Sequence, residues 1–158
     1  MTTRHDRRMD TRRIVLVRHG KAEAGEERSD HDRRLTSTGQ RDAAATGRWL
    51  AERLDRVDRV WVSSAVRAQQ TWAAMVDLLP DAGTVDVDHA LYQAGAREVV
   101  EWAASTDVPV ALVVGHNPTL EQALAAITGE LRGMRAGSAA IVEMGPDRAA
   151  SAEVWSPG

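Results

Sequence analysis

Two unbroken apolar runs, Ile14-Val-Leu-Val17 and Val110-Ala-Leu-Val-Val114, constrain this chain more than any other feature. Both have strand length and are rich in β-branched residues. A strand without polar alternation must bury both of its faces, and such strands belong to parallel sheets covered by helices on each side. The intervening sequence supplies those helices. Residues 38–54 place Ala43, Thr46, Gly47, Leu50, Ala51 and Leu54 on one helical face. A strand follows over 59–63, then a helix over 65–79 that Pro80 closes. Residues 84–88 alternate with period two, 96–105 read as helix, and 118–128 form a helix stopped at Gly129. A last strand covers 139–143, with 152–155 placed to pair beside it. The alternation predicts a three-layer α/β/α sandwich with a mainly parallel central sheet and one antiparallel edge strand. Neither an internal repeat nor a linker interrupts it. The expectation is one domain over residues 13–158 behind a flexible extension over 1–12.

Composition removes several classes of function. Cysteine is absent, which excludes disulfides, thiolate metal sites and a cysteine nucleophile, and fits a reducing cytoplasm. A net charge of -3 gives no general attraction to nucleic acid or anionic membrane, so neither is expected as a partner. No window approaches the roughly 18 apolar residues of a membrane span, and the segment before Ile14 lacks a signal sequence. The expected location is cytoplasmic. Of the 20 basic residues only Lys21 is a lysine, so an arginine carries information here only through its context. Trp49, Trp61, Trp72 and Trp102 are assigned to the core. His5, His31 and His89 are scattered without metal-ligand spacing and are read as solvated; no metal or cofactor is expected.

In open α/β sheets ligands bind beyond the carboxyl ends of the strands. There the sequence reads Arg18-His19-Gly20, Ser63-Ser-Ala-Val-Arg67-Ala-Gln-Gln-Thr71, and Gly115-His116-Asn117-Pro118. Two arginines and two histidines thus converge on one sheet edge, close to helix N-termini that favour anions. Guanidinium forks match phosphate oxygens. A histidine can attack, carry a proton or donate as a cation. The pattern describes a phosphate-binding pocket with a candidate nucleophile. Ser63 and Ser64 are expected to cap the following helix, and Thr71 either orients Arg67 or packs.

These elements resemble the histidine phosphatase superfamily, its compact SixA-type phosphohistidine phosphatases in particular. Leu16-Val-Arg-His-Gly20 is similar to the family's Arg-His-Gly element, Ser63 to Thr71 to its second element, and Val114-Gly-His-Asn-Pro118 to its second-histidine element. Asp32-Arg-Arg-Leu-Thr-Ser-Thr-Gly39 resembles the segment leading into the first long helix. The resemblance implies that His19 attacks phosphorus and becomes a phosphohistidine. Arg18, Arg67 and His116, with Gly20 beside them, would hold the phosphoryl group without a metal.

One departure bears on the substrate. Where many relatives carry a glutamate as general acid, this chain reads Leu91-Tyr-Gln-Ala-Gly95. Glu98 and Glu101 fall on a solvated helix face; Glu23 and Asp30 remain as reserve proton donors. The missing acid favours an imidazole leaving group, which is easily protonated near neutrality, and argues against a mutase. The expected partner is a phosphorylated protein bearing phosphohistidine, or else a small phosphorylated substrate. Arg34 stands where the family often has proline; with Arg33 it forms either a solvated face or a recognition point for an acidic partner or second phosphate. Two other readings stay open: a phosphatase of a small phosphomonoester or sugar phosphate, and a non-catalytic phosphate-binding module. A Rossmann cofactor domain lacks its glycine fingerprint here.

Overall fold

The computed structural model describes residues 11–26, 28–80, 82–145 and 150–158. Six strands, β1 (Arg12–Arg18), β2 (Val57–Ser63), β3 (Ala82–Asp88), β4 (Val110–Gly115), β5 (Ala139–Met144) and β6 (Ala150–Trp155), form one sheet. Its order is β3-β2-β4-β1-β5-β6. The pairings from β3 across to β1 are parallel, while β5 runs antiparallel to both of its neighbours. The antiparallel edge expected from the sequence is therefore built from two strands. The extension expected over residues 1–12 lies, up to residue 10, outside the described residues, as does His5; Arg12 already belongs to β1.

Five helices cover the sheet: α1 (Ser37–Ala51), α2 (Val66–Val76), α3 (His89–Gln93), α4 (Ala96–Ser105) and α5 (Thr119–Thr128). The sequence periods give no sign of α3 or of a 3-10 turn at Asp30–Asp32. Both are too short to display one. No helix among the described residues is long and apolar enough to cross a membrane.

Alternation along the buried strands divides the core into two layers. Val15, Val17, Val60, Val62, Val110, Leu112 and Val114 face α1 and α2, against Trp49, Leu50, Trp72 and Met75. Ile14, Leu16 and Val113 face the opposite side with Val99, Ala103, Leu120 and Leu124. Each fully buried aliphatic side chain contributes about 1.5–3 kcal/mol, which explains why the runs 14–17 and 110–114 carry no polar position. Trp49 and Trp72 are buried; Trp61 and Trp102 lie partly buried against the second layer.

This winding locates the site. β1 and β4 are neighbours with Arg18 opposite Gly115, and Val114 of β4 lies opposite Val62 of β2. The helix leaving β1 crosses one face and the helix leaving β4 crosses the other. The crevice between their carboxyl ends is thus the topological switch point of the sheet.

The first turn of α1 closes one side of that crevice by backbone contact. Thr36 caps the helix, its hydroxyl accepting from Gly39 N–H at 3.0 Å. A Cβ on Gly39 would meet the Lys21 carbonyl oxygen at 2.2 Å, and one on Gly20 would meet the Gly39 carbonyl oxygen at 2.6 Å. Backbone cannot yield as a flexible side chain does. Gly39→Ala is expected to destabilise the fold by about 1–3 kcal/mol or more and to lower activity by displacing Gly20. Urea denaturation and turnover of the same variant check this.

Candidate active site

His19 follows the last residue of β1. Its backbone N–H donates to the Gly115 carbonyl at 3.1 Å, and the His19 carbonyl accepts from Gly137 N–H at 2.9 Å. Those bonds fix the strand end against β4 and bring His19 to His116, with ring centroids 5.3 Å apart. The His19 side chain is buried. Its Nδ1 lies 2.7 Å from the Gly20 carbonyl oxygen, an acceptor only, so Nδ1 carries the proton. Nε2 is left with its lone pair and faces Arg67 Nε at 3.3 Å. Burial depresses the His19 pKa from 6.5 to about 3; the Gly20 bond opposes this, and His116, Arg67 and Arg18 add to it.

Arg67, in the first turn of α2, is 5% exposed and presents two edges. Nε and Nη2 face His19 Nε2 and His116 Nδ1, each at 3.3 Å. Nη1 and Nη2 also donate to Asp30, to its carbonyl oxygen at 2.7 Å and to Oδ2 at 3.1 Å. His116 directs Nε2 at Ser63 Oγ, 2.6 Å away. Burial foremost, then the Arg67 charge, lowers its pKa from 6.5 to about 4. Arg18 donates through Nη1 to the Met134 carbonyl at 2.9 Å, while its Nε is buried without a partner among the described residues. A buried donor of that kind is costly to leave unpaired.

The structure brings all four expected side chains, Arg18, His19, Arg67 and His116, to one crevice. Gly20 is there too, but its N–H donates to Thr71 Oγ1 at 3.0 Å, so it serves His19 through its carbonyl. Thr71 in turn donates to the Arg67 carbonyl at 2.8 Å and ties the β1 turn to α2. The N-cap of α2 is Ala65, not a serine. Ser63 holds His116, and Ser64 reaches His31 and His89.

Asp30 and Tyr92 are the members of this site that the strand-end rule did not find. Tyr92 donates to Asp30 Oδ2 at 2.6 Å, and Arg33 donates to Oδ1 through Nε and Nη2 at 3.1 and 3.0 Å. The Tyr92 hydrogen bond foremost, with the charge of Arg67, holds the Asp30 carboxyl well below the usual carboxylate range. Glu23 is likewise lowered, first by the Arg34 backbone N–H and then by Arg28. Neither reserve carboxylate is a proton donor at neutral pH. Glu98 caps α4 at Gly95 N and Glu101 pairs with Arg97, both away from the crevice. The Arg34 N–H donates to Glu23 Oε1 at 3.1 Å, a bond that proline at this position could not make. Arg33 is no part of a solvated face: it locks Asp30 and reaches the Glu23 carbonyl.

Two depressed histidines make the fold acid-sensitive. The unfolded chain takes up these protons near pH 6.5, whereas the folded one resists until about 4 for His116 and about 3 for His19. Stability therefore falls as pH drops through that window, by up to about 1.4 kcal/mol per pH unit for each imidazole. Urea titrations between pH 7 and 4 are expected to give this slope, and His116→Gln a shallower one.

Comparison with known proteins agrees with this geometry. The model of the histidine phosphatase superfamily (branch 1) matches residues 14–92, a span that includes Arg18, His19, Asp30, Arg67 and Tyr92. An uncharacterized protein of Mycobacterium leprae (strain TN) is 34% identical over 103 residues, covering 64% of this chain and 62% of that protein. Among solved structures, a protein of Nakamurella multipartitia assigned as a phosphohistidine phosphatase SixA superposes with a TM-score of 0.79 at 32% identity, covering 93% of this chain and 96% of that one. The protein histidine phosphatase SixA complexed with tungstate superposes at 0.81 with 26% identity, covering 92% and 97%. The family match and the similarity to SixA proteins indicate a phosphatase, a hydrolase of phosphoryl groups. The chain belongs to the histidine phosphatase superfamily, branch 1.

Proposed function

We propose that this chain is a metal-independent phosphatase that attacks phosphorus with His19 Nε2 and hydrolyses phosphohistidine on a protein. The observation that carries the reading is the His19 tautomer: Nδ1–H donates to the Gly20 carbonyl, and the unprotonated Nε2 accepts from Arg67 Nε–H in the crevice. A buried neutral imidazole is a nucleophile; a protonated one is not. Arg18 and the Nε/Nη2 edge of Arg67 would hold the phosphoryl oxygens, supplying the positioning and charge on which phosphoryl transfer depends. His116, whose pKa burial and Arg67 lower, would gain a proton as the dianion arrives and become a third donor. Water then hydrolyses the phosphorylated His19.

The leaving group is argued from the mouth of the crevice. Asp30 stays anionic there and cannot protonate a departing alkoxide. Its charge favours a leaving group that is itself protonated, as an imidazole can be, and the SixA structures point to the same substrate. A small phosphomonoester or sugar phosphate would use the same attack with a worse-matched departure. The test is phosphate release from a phosphohistidine peptide and from an aryl phosphate, both with chelator present. The peptide is expected to be preferred and the chelator to leave the rate unchanged. Preference for the aryl phosphate would move the substrate to small phosphomonoesters, and binding without turnover would leave only a phosphate-binding module.

A further inference from the structure

Met134 lies in the stretch 129–138, which joins α5 to β5 with no helix or strand of its own. Its carbonyl oxygen is nevertheless the one hydrogen-bond acceptor of the Arg18 side chain among the described residues, taking Nη1 at 2.9 Å. Irregular backbone has no ladder to aim its peptide groups, so side chains must do it. Glu121, in the first turn of α5, accepts through Oε1 from Met134 N–H at 2.7 Å and from Asn117 Nδ2 at 2.9 Å. Asn117 Nδ2 also donates to the Met134 carbonyl at 2.7 Å, while its Oδ1 accepts from Glu121 N–H at 3.2 Å. The N–H and the C=O of Met134 are thus both held, and its side chain is buried with Leu120 and Leu124.

We propose that Glu121 and Asn117 are positioning residues of the phosphate site, which aim the Met134 carbonyl that in turn orients the Arg18 guanidinium. This deepens the phosphatase reading and rests on Arg18 holding phosphoryl oxygens. A carbonyl oxygen has two lone pairs. Asn117 occupies one and Arg18 the other, so the direction of the second bond follows from the first. Capping of α5 needs only the bond from Glu121 N–H to Asn117 Oδ1. The bonds to Met134 cross 13 and 17 residues of chain and add nothing to a cap.

The kind of acceptor matters as much as its place. Arg67 is gripped by a carboxylate, Asp30. Arg18 has no ion pair among the described residues and is steered by a neutral carbonyl. Such a partner fixes the fork without cancelling its charge, and the carboxylate of Glu121 stays one peptide group away. An arginine already held in place also gives up less side-chain freedom when an anion binds. Asn117 directly follows His116, so the same network ties the second histidine's turn to the first arginine.

The test is side-chain nitrogen NMR relaxation of the arginines, with titration of inorganic phosphate, on wild type, Glu121→Ala, Glu121→Gln and Asn117→Ser. The two Nε–H resonances are assigned by their loss in Arg18→Ala and Arg67→Ala. In Glu121→Ala the Arg18 Nε–H is expected to lose its wild-type order, while Arg67, held by Asp30, keeps its own. Phosphate should bind about tenfold more weakly, the scale of one charged hydrogen bond. For p-nitrophenyl phosphate kcat/KM should fall by up to about 10²-fold. Glu121→Gln keeps the accepting oxygen and should match wild type in every readout. Asn117→Ser keeps a hydroxyl to cap α5 and loses the amide donor, so it should loosen Arg18 too; it carries the test if Glu121→Ala does not fold. Arg18 as ordered in these variants as in wild type overturns the proposal. So does equal loosening of Arg18 and Arg67, which is what a general loss of structure would give. A wild type that binds phosphate but turns over neither p-nitrophenyl phosphate nor a phosphohistidine peptide overturns the phosphatase reading instead, a result the relaxation data do not depend on.

Discussion

Replacing His19 by alanine is expected to abolish phosphate release while phosphate still binds. The loss should be on the order of 10⁶ in kcat, the scale found when a covalent nucleophile is removed from a hydrolase. Arg18, Arg67 and His116 remain in the variant, so the anion keeps its donors but has nothing to attack it. Acid-quenched turnover with labelled substrate separates the two outcomes. Wild type should carry an acid-labile, base-stable phosphoryl group on the protein, and His19→Ala should carry none. Activity above about a hundredth of wild type would mean that another residue attacks. The substitution removes two buried bonds, from Nδ1 to the Gly20 carbonyl and from Arg67 Nε to Nε2, and also removes the group most reluctant to be protonated. The variant should therefore resist acid better than wild type even though it is inactive.

Arg67→Ala is expected to reduce kcat/KM by about 10³–10⁵, or roughly 4–7 kcal/mol of transition-state stabilisation. Its guanidinium edge faces both imidazoles, so one side chain links the nucleophile to the second histidine. Arg67→Lys keeps the charge and loses the planar fork, and an intermediate loss is expected. Asp30 makes the truncation worse than a missing donor. The carboxylate would keep Tyr92 and Arg33 but lose its partner on the crevice side. Asp30→Asn in the Arg67→Ala background should then recover part of the stability and little of the rate. Because the Arg67 charge also helps depress the His19 pKa, the acid limb of any residual activity should move upward in pH. Burial remains its main cause, so the movement should be modest. Steady-state pH profiles of the three variants measure all of this.

How far the sequence reaches can be judged residue by residue. Ile14 to Val17 and Val110 to Val114 announce buried parallel strands because burial on both faces excludes polar residues locally. The rule that ligands gather beyond strand ends then selects Arg18, His19 and His116 with no knowledge of contacts. Arg67 follows from its place at the start of the helix after β2. The two-strand antiparallel edge was half visible, in the apolar pattern of 139–143 and the weaker one of 152–155. No such rule reaches Asp30, Tyr92 or His31. They sit on a 3-10 turn and a one-turn helix, neither long enough to carry a period.

The sequence by itself determined the layers of this protein, the order of its elements and the four side chains brought to the crevice, because those depend on local patterning and on which strand end a residue follows. The tertiary structure alone decided which nitrogen of His19 is bare, what grips Arg67, and that His31 and His89 share one hydroxyl. Each of those is a contact between residues brought together by the path of a loop, and a hydrogen bond of about 3 Å leaves no periodic trace in the chain that makes it.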